Sequence, residues 1–160
     1  MKYLQDLYFG GISVEIIKYR NWIMEFDYEK TKLMYSMIAN GSSEECECEE
    51  CQNFRIVKES IYPDEIKDLF KTLGVDINKE IENYCMDPDL SNHLSAGWFH
   101  FVGKQIDNDN INQNEIINYE SITTEFKIGF VFEDPRLVIK EFINEPIIQI
   151  EFNVRVPWRL

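Results

Sequence analysis

Three cysteines lie within six residues of the segment SEECECEECQNF, at Cys46, Cys48 and Cys51. Thiolates are preferred ligands of zinc, and a structural zinc site takes four ligands in a tetrahedron, so this group supplies three of them. The C-x-x-C interval is typical of zinc-binding segments. The cluster therefore predicts a bound structural zinc ion. Reduced thiols without metal and a Cys48–Cys51 disulfide are the alternatives.

Glutamates surround these cysteines on both sides, at Glu44, Glu45, Glu47, Glu49 and Glu50. Their negative field disfavours a free thiolate, because a nearby like charge penalises the charged form of a titratable group. The same field attracts a divalent cation. The segment therefore predicts a cation site rather than a nucleophilic cysteine.

A fourth zinc ligand has to come from elsewhere in the chain. Cys85 and His100 are the main candidates, and His93 is a weaker one. Each also has a purely structural interpretation. Cys85 is of the type that packs as a small buried apolar residue, and His100 could be a core histidine with a hydrogen-bond partner.

The charge of the chain limits its partners. Sixteen basic and 29 acidic residues give a formal net charge of −13 over 160 residues. Such a chain repels phosphate backbones and anionic lipid, so we expect no nucleic-acid or membrane partner, and a basic protein partner is favoured. No apolar stretch has the length of a signal peptide core or a bilayer span, which predicts a cytoplasmic protein. The length predicts a single domain over residues 1–160.

Alternating apolar residues predict the strands that must position these groups. Trp22 to Tyr28 reads as a half-buried strand, preceded by a hairpin turn at Arg20-Asn21. The run GWFHFVGKQI is apolar on both faces and predicts a central strand. Further strands are predicted at Phe126–Phe132, at Leu137–Ile143 and at 148–156, the last with one buried and one solvent-exposed face.

Two short helices are predicted directly after the cysteine cluster. Apolar residues recur at helical spacing from Phe54 to Ile61 and again from Ile66 to Leu73. Pro63 suits the first turn of the second helix, and Gly74 suits the position just beyond its end. The predicted fold is α+β, with an antiparallel sheet of about six strands and the two helices inserted after the cluster.

Several motifs together resemble a family of small uncharacterised bacterial proteins. They are C-x-C-x-x-C-x-N-F from Cys46 to Phe54, Tyr62-Pro63, LGVD from Leu73, GWFHFVG from Gly97 to Gly103, and a closing Pro157-Trp158. The resemblance covers the chain from Cys46 to its end. It implies a bacterial, cytosolic protein and brings no established activity. Because the family strand carries a histidine at the position of His100, the resemblance favours His100 as the fourth zinc ligand.

Two functional classes follow from these observations. The sequence contains no glycine-rich phosphate loop, no G-x-S-x-G elbow and no H-E-x-x-H pair. This favours a non-catalytic interaction domain with a structural zinc, of the immunity or inhibitor type, over an enzyme. The alternative is a small metalloenzyme or ligand-binding protein that uses the cysteine cluster together with His100.

Overall fold

The computed structural model describes residues 2–9, 12–87, 93–106 and 117–160, with side chains from residue 14 onward. Its strands are β1 Lys2–Phe9, β2 Ile12–Tyr19, β3 Trp22–Phe26, β4 Glu82–Cys85, β5 Leu94–Gln105, β6 Glu120–Ser121, β7 Phe126–Val131 and β8 Ile147–Arg155. Its helices are α1 Tyr28–Met37, α2 Ser42–Glu45, α3 Glu49–Ile61 and α4 Asp64–Leu73.

The strands form one sheet in the order β1-β2-β3-β5-β8-β7-β6, and β4 pairs with β5 outside this path. Every pairing among the described residues is antiparallel. Six of the strands are five residues or longer. The predicted α+β fold is therefore confirmed, including the central place of β5.

The two predicted helices are also confirmed, as α3 and α4. The apolar face of α4 is buried at Ile66, Leu69, Phe70 and Leu73. The helix ends at Gly74, whose φ of 77° is left-handed and suits a residue without a Cβ. Tyr62, in the turn between the two helices, packs against the rings of Phe99, Phe126 and Phe152 from the sheet. These contacts hold the cysteine-bearing helix layer on the sheet.

Helix α1 was not predicted, because its apolar pattern is weak. Leu33 and Met37 are exposed, and only Thr31, Met34 and Tyr35 are buried. On one edge of β5, β3 pairs with residues 103–105 and β4 pairs with residues 95–98, so no strand pairs with the stretch between them. Helix α1 lies against this stretch. There the Tyr35 hydroxyl donates to the His100 carbonyl at 2.9 Å and accepts from the His100 amide at 3.3 Å. The phenol thus satisfies backbone groups that a strand would otherwise satisfy.

One prediction about a strand is wrong, and another is only partly correct. Residues 137–143 form turns, with the Phe142 amide donating to the Ile139 carbonyl at 3.0 Å, and Phe142 is fully buried against Tyr35. The predicted solvent-exposed face of β8 is only partly exposed, because Gln149 and Glu151 are buried, whereas Asn153 is half-buried and Arg155 is exposed. The sequence also predicts a turn at Asp87-Pro88-Asp89 and a polar loop over residues 107–114, and apart from Asp87 these residues lie outside the part of the chain that the structure describes. In the part of the chain that the structure describes, no helix combines the length and apolar character of a membrane span.

Candidate metal centre

The three cysteines are brought together by a short bend between two helices. Cys46 is the C-cap residue of α2, and Cys48 is the N-cap residue of α3. The Cys48 sulfur accepts a hydrogen bond from the Cys51 amide at 3.5 Å, as N-cap side chains do. Residues three apart at the start of a helix lie on the same side, so the Cys48 and Cys51 side chains are neighbours. The Cys46 side chain lies beside them.

The three sulfur atoms all lie within 4.8 Å of one another. The Sγ atoms of Cys46 and Cys48 lie 3.2 Å apart. A tetrahedral ion with metal–sulfur bonds of about 2.3 Å requires sulfurs about 3.8 Å apart. The Cys46–Cys48 separation is shorter than that value and no pair is more than 4.8 Å apart, so the three cysteines are close enough to hold a metal ion.

The cluster is open to solvent on one side. Cys51 is buried, Cys46 is half-buried and Cys48 is exposed. The backbone amide of Cys48 lowers the pKa of the Cys46 thiol, whereas burial raises the pKa of Cys48 and of Cys51. Two of the three sulfurs therefore hold their protons more firmly than a free cysteine. Metal binding has to release these protons, which makes affinity depend on pH.

A buried carboxylate ties α2, the start of the cysteine segment, to the chain before β4. Glu80 accepts from the Ser43 amide at 2.9 Å through Oε1, and also from the Ser43 hydroxyl. Its backbone carbonyl accepts from the Ser42 amide at 2.8 Å. The ammonium of Lys58 lies 3.5 Å from Glu80 Oε2 and 3.1 Å from Glu44 Oε1. Because the Glu80 side chain is fully buried, this network fixes where the cysteine segment begins.

Two further side chains position the cysteines themselves. The Arg55 guanidinium donates to the Cys46 carbonyl at 2.8 Å and to the Ser43 carbonyl. The Asn83 amide on β4 donates to the Cys51 sulfur at 3.9 Å. The cluster is therefore held from α3 on one side and from the sheet on the other.

The sequence pattern did not indicate that Arg55, Glu80 and Asn83 support the cysteines. Arg55 follows Cys51 by four positions, so helical spacing alone could have placed it near the cluster. The sequence did not indicate that Glu80 and Asn83 are buried, because single polar residues among apolar ones are usually expected to be solvent-exposed.

Cys85 and His93, two of the predicted fourth ligands, line one small crevice beside α3. Glu50 of the same helical turn as Cys51 also lines it. Cys85 donates from its sulfur to the Asp87 carbonyl at 3.3 Å, and the His93 ring stacks on Trp158 at 5.0 Å between centroids. Alternation along β4 places Cys85 on the same face as Asn83, the residue that contacts Cys51.

His100, the other predicted fourth ligand, has a different environment. Its side chain is fully buried, and its ring packs against Phe142. Its Nε2 lies 3.1 Å from Gln149 Oε1, which also accepts from the Arg136 amide at 2.7 Å. We therefore assign the ring proton to Nε2. Burial lowers the pKa of His100, which favours the neutral ring.

Gln149 extends this contact into a chain of polar groups. It donates through Nε2 to Glu151 at 2.7 Å, and Glu151 accepts from the Tyr119 hydroxyl. We call His100, Gln149 and Glu151 the buried polar row. Among the described residues, the three-sulfur group includes neither His100 nor Cys85. The identity of a fourth ligand stays a prediction.

Comparisons with known proteins add no further information. No protein-family model, no curated protein and no solved structure matches this chain. The resemblance to a family of uncharacterised bacterial proteins therefore stays a prediction, and the function has to be argued from the geometry above.

Proposed function

We propose that this chain is a cytosolic, non-catalytic interaction protein in which Cys46, Cys48 and Cys51 hold a structural zinc ion. The observation that carries the proposal is the convergence of three sulfur atoms within 4.8 Å. Soft thiolate ligands in a tetrahedral arrangement select zinc over the hard cations magnesium and calcium. The reducing cytosol suits the site, because it keeps thiols available as ligands.

Cys85 is the fourth ligand that we propose. It lies on the face of β4 that points toward Cys51 through Asn83, and it shares a crevice with Glu50. His100 is the less supported candidate, since its ring is bound to Gln149 in the core. The alternative function, a metalloenzyme that uses His100 at the same ion, loses support for the same reason.

The zinc would stabilise an acidic surface. Glu45, Glu47 and Glu49 are exposed around the cysteines, and Glu44 is exposed beside them. A divalent ion offsets part of their mutual repulsion and fixes the bend between α2 and α3. We propose that this surface binds a basic protein partner, as an immunity or inhibitor protein would, because charge complementarity selects and orients such partners.

The decisive experiment is the metal content of protein purified from cytosol without added metal, combined with a count of reactive thiols. We expect about one zinc per chain in the wild type, and none in Cys51→Ser or Cys46→Ser. His100→Gln is the matched control and should keep its zinc. Metal-free wild-type protein with four reactive thiols would contradict the proposal.

Cobalt substitution tests the fourth ligand. Thiolate-to-cobalt absorption should weaken in Cys85→Ser and stay unchanged in His100→Gln, because only the former removes a ligand. The opposite pattern would assign the fourth position to His100. An unchanged spectrum in both variants would show that the fourth position holds neither side chain.

The partner proposal requires a separate test. Proteins retained from cytosol by the wild type should be lost when Glu45, Glu47 and Glu49 are all changed to Gln. The matched control changes Glu29, Glu59 and Glu133 to Gln, which are also exposed but lie away from the cysteines along the chain. Equal loss in both triple variants would indicate a nonspecific effect of charge and contradict the proposed surface.

A further inference from the structure

A groove with a volume of about 630 Å³ lies between α1 and α4 and is bounded by the segment that follows α4. Lysines form much of its lining, at Lys32, Lys67, Lys71 and Lys79, and its apolar floor comes from Tyr28, Tyr35, Phe70, Val75 and Ile77. We call this feature the lysine groove. Neither the cysteine cluster nor the buried polar row contributes to its lining.

The charge of the lysine groove is opposite to that of the chain as a whole. Four of only sixteen basic residues line it, in a protein with a formal net charge of −13. Among the described residues that line it, Asp76 is the one carboxylate. The groove is therefore a local positive region on an acidic protein, which attracts an anion rather than the basic partner proposed above.

Two of the lysines are available to a ligand. Lys79 is already held, since it donates to the Tyr35 carbonyl at 2.9 Å and lies 3.8 Å from Asp76. Lys32 lies over the ring of Tyr28, 5.4 Å from its centroid. Among the described residues, neither Lys32 nor Lys71 forms an ion pair with a carboxylate. Both are exposed, and they project from facing helices.

The floor of the groove is apolar and rigid. Tyr35, Phe70 and Val75 belong to the buried core, so their positions are fixed by packing. Gly74 allows α4 to approach α1, because a Cβ there would lie 2.7 Å from the Tyr28 carbonyl oxygen. The volume is in the range of small-molecule sites, and such sites combine an apolar lining with a few polar groups.

We infer that the lysine groove binds a small organic anion with an apolar body, whose carboxylate or phosphate group pairs with Lys32 and Lys71. The apolar body would lie on the aromatic and aliphatic floor, and the charged group at the lysine rim. Charge-assisted contacts to lysine account for the preference for an anion. This inference is independent of zinc at the cysteine cluster.

Calorimetric titration with three probes that share one apolar body tests the inference. The probes are naphthalenecarboxylate, naphthyl phosphate and naphthylmethylammonium. We expect the wild type to bind at least one of the two anions, to bind the cation far more weakly, and to lose affinity for the anion as salt is raised. The tighter of the two anions identifies the preferred head group.

A pair of charge-removing variants locates the site. Lys32→Gln combined with Lys71→Gln should weaken anion binding by about tenfold or more. Lys104→Gln combined with Lys127→Gln is the matched control, because both residues are exposed on strands outside the groove. The control should bind as the wild type does. Circular dichroism checks that both double variants are folded.

Three results would overturn the inference. They are equal affinity for the cationic and anionic probes, unchanged binding in the groove variant, and no binding of either anion. None of these outcomes depends on whether the cysteines carry zinc, because the titrations are repeated in the presence of a chelator.

Discussion

The cysteine cluster and the buried polar row are assembled in opposite ways. Cys46, Cys48 and Cys51 come from a single bend of the chain, and one helix cap brings their sulfurs together. The buried polar row joins two strands whose contacting residues, His100 and Gln149, are 49 positions apart. The register between β5 and β8 places these two residues opposite each other. The comparison shows that a group built locally can be recognised from spacing, whereas one built by register cannot.

The two regions also differ in access to solvent. Cys48 is exposed, so an ion can reach the sulfurs and leave them. His100 and Gln149 are fully buried, and Glu151 is nearly so. Hydrogen bonds between buried polar groups contribute to stability, and they favour the register between β5 and β8 that pairs these groups. The cluster therefore has the properties of a ligand site, and the row has those of a structural element.

The largest effect expected from this difference is the response to zinc. Zinc should raise the free energy of unfolding of the wild type by about 4 kcal/mol when free zinc is about a thousandfold above its Kd. Cys51→Ser should show no such gain, and His100→Gln should show the full gain. Urea unfolding in zinc and in chelator measures each difference. If zinc did not raise the free energy of unfolding of His100→Gln, the two regions would form one site.

Removal of the charge of Glu80 should have the next largest effect. Glu80→Gln leaves the buried Lys58 ammonium without its buried partner, so we expect a loss of about 2–3 kcal/mol in the free energy of unfolding. Zinc affinity should fall as well, because α2 loses its attachment. Glu59→Gln, an exposed substitution on α3, is the control and should stay within about 0.5 kcal/mol of the wild type. Equal unfolding curves for both variants would contradict the role of Glu80.

A substitution in the buried polar row should destabilise the fold without changing zinc binding. Gln149→Met keeps the volume but removes partners of His100, Glu151 and the Arg136 amide, which should cost about 2 kcal/mol. Chemical unfolding gives the loss, and zinc titration gives the affinity. A weaker zinc affinity in this variant would show that the two regions are coupled.

The smallest expected effect is a pH dependence from His100. Burial lowers its pKa in the folded state, whereas the unfolded chain has the ordinary value of about 6.5. As the pH falls through that value, the unfolded state takes up a proton that the folded state does not, so the free energy of unfolding decreases. The loss ends at the folded-state pKa and has a slope of at most about 1.4 kcal/mol per pH unit.

His100→Gln should show a shallower decrease than the wild type over the same pH range. Unfolding in chelator at a series of pH values measures this, because the chelator removes the separate contribution of metal release at the cysteines. Parallel curves for the two proteins would show that His100 does not titrate as its burial requires.

Most of the fold was accessible from the sequence. The central strand β5 and helix α4 have strong periodic patterns, and both are confirmed. The failures have physical causes. Helix α1 buries few residues and leaves Leu33 and Met37 exposed, so its pattern is weak. The segment from Leu137 to Ile143 has apolar residues, but turns direct Phe142 into the core.

The sequence alone determined the α+β class, the central strand and the grouping of three cysteines, because each depends on neighbours along the chain. Only the tertiary structure decided that His100 is bound to Gln149, that Glu80 is buried beneath α2, and that four lysines gather in one groove. These facts depend on strand register and on how helices pack against each other. Residues brought together from distant positions leave no periodic signal, so their chemistry becomes visible only in the folded chain.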